Sequence, residues 1–193
     1  KKPFNYRNEK IVEGKLFTAG IDSTIKNVVN EINADSIRYF IQSLQNFNTR
    51  FLLSNKRDSV AKWIEHQFLR MGYTDVKIDS FYQEGVWNKN VIATLHALNG
   101  TQQEIVVGGH HDSYSSGNPM IYAPGADDNA SGTSAVLEIA RVLKKTNYLP
   151  EVNIKLITFA AEEYGLYGGF DYAMKARKEN KKIKLMINHD MIS

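Results

Sequence analysis

The chain has 193 residues, 42% of them hydrophobic and 23% charged, with 13 glycines and a formal net charge of +3. This is an ordinary globular composition, large enough for one domain with a substantial core. The weak, scattered positive charge argues against a nucleic-acid partner, no apolar stretch approaches the roughly 18 residues that a membrane span needs, and the absence of cysteine excludes disulfide staples and thiolate chemistry.

In chain order, residues 1–32 read as a lead-in, of which the first 20 are polar and without period. One domain is expected over 33–193. From Asn33 to Phe47, Ile37, Phe40, Ile41 and Leu44 recur at helical spacing, with Asn33 and Asp35 as candidate caps. A second helix, capped by Asp58 or Ser59, turns Val60, Trp63, Ile64, Phe68 and Met71 to one face and stops at Gly72. Its His66 falls among polar positions and reads as a surface residue. Val76–Phe81 and Val91–Ala97 are strand candidates, and His96 lies on the second of them, away from any loop. The Asn99-Gly100 pair is a hairpin signal that leads into a strand over Glu104–Gly109.

That strand, with its β-branched Ile105-Val106-Val107, runs straight into His110, His111 and Asp112. A long polar loop follows, carrying Asp127 and Asp128, and then a helix from Ser131 to Lys145. Asn153–Ala161 is a buried strand ending in Glu162-Glu163; a helix over Gly165–Asn180 returns the chain to a strand over Ile183–His189, which ends at Asp190. The alternation of strand and helix predicts an α/β fold, a mostly parallel sheet with helices on both faces. Ligands of such sheets bind beyond the carboxyl ends of the strands.

Three strands thus each end in a side chain suited to hold a cation. His110 offers an imidazole, and Asp127, Glu163 and Asp190 offer carboxylates; nitrogen and oxygen donors without sulfur suit zinc, and also manganese or cobalt. A carboxylate shared by two cations would let them activate one water, and a glutamate beside a ligand, itself unbound, would take the proton. Adjacent residues at a strand end point in different directions, so the Glu162-Glu163 pair can divide these duties. An isolated Glu-Glu pair is more often two solvated acids; the buried strand before it and the Gly-Leu-Tyr-Gly-Gly after it favour the functional reading. By the same alternation His111 and His189 point away from His110 and Asp190 and are assigned to packing or hydrogen bonding. Asp112 is placed to orient the His110 ring. Tyr114, Met120, Ile121 and Tyr122 either line the cleft or pack the loop.

At these residues a resemblance becomes specific. GGHHDS (108–113), APGADDNASG (123–132), FAAEEYGLYGG (159–169) and NHDM (188–191) resemble, in order, the motifs of the bacterial leucyl aminopeptidase / aminopeptidase Y family of two-zinc exopeptidases, and the likeness extends over roughly residues 35–193. It implies that His110 and Asp190 hold one zinc, Glu163 the second, and Asp127 both, with Glu162 as general base and Asp112 orienting His110. It also implies a cis peptide between Asp127 and Asp128. The implied activity is hydrolysis of the amino-terminal bond of peptides or proteins by a water held at the metal. His111, His189 and Gly169 depart from the family pattern. No residue here matches the family's last ligand, a histidine downstream of Asp190, so the second zinc position is expected to be incomplete without a further part of the domain. An exported setting fits the lack of cysteine. A glutaminyl cyclase or a carboxypeptidase on the same scaffold, or a fragment that only binds, are the rival readings.

Overall fold

The computed structural model describes residues 23–192. Of the lead-in read over residues 1–32, residues 1–22 lie outside the described residues. Within 23–32 the chain forms a short helix, α1 (Ser23–Asn30). The next two helices fall where the apolar spacing placed them. In α2 (Ala34–Gln45), the Asn33 side chain accepts the Ser36 N–H, an N-cap bond, and Phe40 and Leu44 are buried. Helix α3 (Arg57–Arg70) begins one residue before the expected cap: Lys56 holds that position with no side-chain bond. Asp58 sits in the first turn and pairs with Lys89 Nζ at 2.8 Å instead. The helix stops at Gly72, where φ is +88°. There the Gly72 N–H reaches the Leu69 carbonyl and the Tyr73 N–H reaches the Phe68 carbonyl, so the final carbonyls are satisfied.

Strands β1 (Val76–Gln83) and β2 (Val86–Leu95) form an antiparallel hairpin. Its two-residue turn is Glu84-Gly85, both at positive φ, as a turn matched to strand twist requires. The expected hairpin at Asn99-Gly100 is not a hairpin. Strand β3 (Gln103–His110) pairs in parallel with β4 (Asn153–Phe159) and with β5 (Lys182–Asn188), and the sheet order is β1-β2-β4-β3-β5. Asn99-Gly100 does reverse the chain, with Gly100 at φ +70° and Asn99 Oδ1 accepting the Thr101 N–H at 3.1 Å. Reversal alone does not make the flanking strands neighbours, and β4 lies between them. The sheet is therefore mixed, with three parallel strands beside an antiparallel pair.

Residue alternation gives the two faces different covers. Val91, Ala93, Val107 and Leu156 pack against α2, α3 and α4 (Gly132–Lys145) in the main core. Ile92, Val106, Ile157 and Phe159 turn to the opposite face, where Tyr172 of α5 (Tyr167–Lys178) packs on them. Burying a side chain of this size stabilises the fold by about 1.5–3 kcal/mol, so this double-sided core holds the parallel strands in register. Every residue of β5 is exposed. Because β3, β4 and β5 run the same way, their carboxyl ends open onto one edge of the molecule.

Candidate metal centre

His110 closes β3 with its side chain only 3% exposed. Its Nε2 faces three acids: Asp128 Oδ1 at 3.2 Å, Asp190 Oδ1 at 3.5 Å and Glu162 Oε2 at 3.7 Å. One donor atom each from His110, Asp128 and Asp190 lies within 4.8 Å of the others. The buried Nδ1 has no hydrogen-bond partner; Asp112 Oδ1 lies 3.4 Å from it. Burial by itself would lower the His110 pKa, but the Asp112 contact and the charges of Asp112, Glu162 and Asp190 outweigh it and raise it to about 9. Glu163 is pushed up to about 7, by burial first and then by the charges of Asp128 and Asp112. Glu162 is also raised, again chiefly by burial. Negative charge concentrated around one imidazole in this way is what a bound cation relieves.

The acid that stands at His110 is Asp128, 3.2 Å from Nε2, next in the chain to the Asp127 expected to bind there. The cis peptide is likewise Asp128–Asn129, one bond later than expected. The reason lies in the turn over Ala126–Ser131, which leaves helical geometry at Asp128 (φ −98°, ψ 98°) and Asn129 (φ −132°, ψ 49°). Asp127 precedes that break; its carbonyl accepts the Ser131 hydroxyl at 2.7 Å, and its carboxylate lies 3.4 Å from the same Oγ. The fully buried Asn129 then locks the turn. Its Oδ1 accepts the N–H groups of Gly132 and Met191 at 2.9 and 3.2 Å, and its Nδ2 donates to the His189 carbonyl at 3.0 Å. Asn129 thus ties the loop carrying Asp128 to the segment carrying Asp190. Gly125, at φ +46°, has no room for a Cβ, which would overlap the Asp128 carbonyl. A local pattern does not reveal Asn129, since two of its three partners, His189 and Met191, lie about 60 residues away.

Asp112 does more than face His110. It is 1% exposed; its Oδ1 accepts the Glu162 N–H at 3.0 Å and its Oδ2 accepts the Glu163 N–H at 3.2 Å. One carboxylate therefore faces the imidazole and fixes the Glu162-Glu163 turn, where Ala161 takes a positive φ of 57°. Glu163 stands outside the His110–Asp128–Asp190 trio, close enough to Asp128 to feel its charge. His111 is buried and directed away, its Nδ1 3.1 Å from Thr158 Oγ1, and burial lowers its pKa to about 4, which keeps it neutral. His189 Nδ1 lies 3.3 Å from the Gly108 carbonyl. His66 is exposed, and His96 pairs with Asp75 at 2.8 Å, so neither belongs to the centre. Tyr114, Met120, Ile121 and Tyr122 are exposed; Tyr114 packs tilted and Tyr164 edge-on against the buried Phe51, at 6.0 and 5.6 Å between ring centroids.

An open α/β sheet with an imidazole and several carboxylates at its carboxyl edge defines a class of protein built to hold a cation beside a cleft. The profile of peptidase family M28 matches residues 90–193, and the chain belongs to that family. A "probable zinc metalloprotease" of Pyrenophora teres f. teres is 31% identical over 194 residues, covering 89% of this chain and 41% of that protein. A "probable leucine aminopeptidase" of Arthroderma otae is 30% identical over 178 residues, covering 88% of this chain and 47% of its own length. Among solved structures, LapB of Legionella pneumophila superposes with a TM-score of 0.77 at 25% identity, over 88% of this chain and 46% of that one. The chain spans less than half the length of these relatives. Among the described residues, no helix is long and apolar enough to cross a membrane.

Proposed function

We propose that these residues serve a zinc-dependent aminopeptidase that removes amino-terminal residues from peptides or proteins. The observation that carries this reading is the convergence of Asp128, Asp190 and Glu162 on Nε2 of His110, all within 3.7 Å. The donor set fits zinc: one imidazole with an unsatisfied second nitrogen, several carboxylates and no thiolate. His110 and Asp190 would hold one ion and Glu163 a second. Asp128 would take both, since it lies 3.2 Å from the imidazole and its charge acts directly on Glu163. Bound there, zinc polarises a substrate carbonyl and makes water acidic enough to react near neutral pH.

The rest is done by the chain. Glu162 is 29% exposed and its pKa is raised, chiefly by burial, so its carboxylate is a stronger base than an ordinary one and is open to the cleft. It would take the proton at Oε2 and return it to the leaving amine. Asp112 keeps Glu162 and Glu163 in their separate directions through the two backbone N–H bonds.

The test is Glu162→Gln in the full-length protein, assayed on an aminoacyl anilide with zinc content measured in parallel. Turnover should fall by at least about 10²-fold, the usual worth of a positioned base, with zinc content retained. Loss of zinc would reverse the roles of Glu162 and Glu163. Ammonia release from a glutaminyl peptide, without cleavage of the anilide, would overturn the peptidase reading in favour of a cyclase.

A further inference from the structure

Arg50 is a buried cation that the proposed chemistry does not use. It is 1% exposed, among the largest fully buried side chains of the molecule. A charge in that position costs several kcal/mol unless its surroundings compensate it. Its guanidinium reaches carbonyl oxygens of three separate segments. Nε donates to His111 at 2.8 Å, Nη1 to Leu44 at the end of α2 at 3.2 Å and to Pro124 at 2.5 Å, and Nη2 to Gly125 at 2.8 Å. Its backbone N–H adds a bond to Ser113 Oγ at 3.1 Å, and that hydroxyl in turn donates to the Ala123 carbonyl at 2.6 Å.

These partners are not scattered. His111 lies between His110 and Asp112, and Pro124-Gly125 opens the turn that presents Asp128. The planar fork of donors therefore spans the two loops whose separation decides whether Asp128 meets His110. Carbonyl oxygens carry no formal charge, so these bonds set positions without neutralising the cation. The acids acting on it are Asp112, Asp128 and Glu163, three members of the acidic cluster. Burial lowers the guanidinium pKa to about 10, which leaves it charged at neutral pH.

We infer that Arg50 is a positioning residue of the metal centre, holding the His110–Asp112 strand end and the Asp128 loop at a fixed separation while its charge offsets part of the acidic cluster. The inference rests on reading the cluster as a metal centre. It assigns to Arg50 the metal-free arrangement of the ligands, which a residue serving only as core packing would not affect.

The test measures zinc affinity of the full-length protein by chelator competition, with circular dichroism and thermal melting as the check on folding. Arg50→Lys keeps the charge but cannot span both loops. It should fold and bind zinc about 10- to 100-fold more weakly, the range for a residue supporting metal ligands from behind. Arg50→Ala should bind more weakly still, and millimolar guanidinium should restore part of its affinity by refilling the cavity. A folded Lys variant with wild-type affinity overturns the inference, as does a Lys variant that does not fold, which would make Arg50 a determinant of the whole core. No response of Arg50→Ala to guanidinium also overturns it. If the wild-type protein itself binds no zinc, it is the metal-centre reading that fails.

Discussion

The pKa values of the metal-free cluster dictate how zinc affinity depends on pH. A ligating imidazole must be deprotonated at the coordinating nitrogen, so zinc competes with the proton on His110 Nε2. With its pKa raised to about 9, His110 is almost wholly protonated at neutral pH when no metal is present. Between pH 7 and 9 the apparent affinity should therefore rise about tenfold per unit, roughly 100-fold in all. Below pH 7 the slope should approach twice that, because Glu163, raised to about 7, is then protonated too. Above pH 9 the curve should flatten. The stability of the metal-free protein runs the other way. His110 is raised from 6.5 to about 9 in the fold, so its contribution is complete below pH 6.5 and is lost as pH climbs through 9. For this buried ring, at 1.36 kcal/mol per unit, that is on the order of 3 kcal/mol. Glu163 acts with the same sign over a lower window, from its ordinary 4.5 to about 7. Chelator competition at pH 6, 7, 8 and 9, with melting curves in EDTA, reads both effects. A zinc affinity that stays level from pH 7 to 9 would show that the acids do not hold a proton on His110, and the reasoning would fail.

Two substitutions probe the turn that presents Asp128. Asp128→Asn should weaken zinc binding by at least tenfold while Asp127→Asn leaves it within about threefold of wild type; a chelator titration of both variants decides, and equal losses would refute the one-residue shift. Gly132→Ala places a Cβ against the His189 carbonyl and the Asn129 side chain. It should cost about 3 kcal/mol by urea titration, the upper range for overpacking a filled interior, and should lower zinc affinity as well, because the displaced segment carries Asp190.

Much of the site was readable before the fold. Strand-length apolar runs ended at His110, just before Glu162-Glu163 and just before Asp190, and parallel strands bring such ends to one edge. Caps and stops were legible where their partners are close in sequence: Asn33 bonds Ser36, and Gly72 closes on Leu69 and Phe68. The assignments of His111 and His189 to hydrogen bonding followed from the same short-range alternation and agree with their contacts at Thr158 and Gly108.

What tertiary structure decided depends on partners far along the chain. Asn99-Gly100 encodes a reversal, but whether β2 meets β3 depends on β4, which enters between them some 50 residues later. Two adjacent aspartates look alike in sequence; the bonds of Asn129 to His189 and Met191 determine which of them faces His110. Arg50 is one more basic residue on paper, and only the closure of α2, the His111 segment and the Pro124-Gly125 turn around its guanidinium gives it a place. Side-chain period and turn chemistry act over a few residues and are written locally. Strand order, the choice between neighbouring side chains and the partners of a buried charge depend on hydrogen bonds that exist only once distant segments have met.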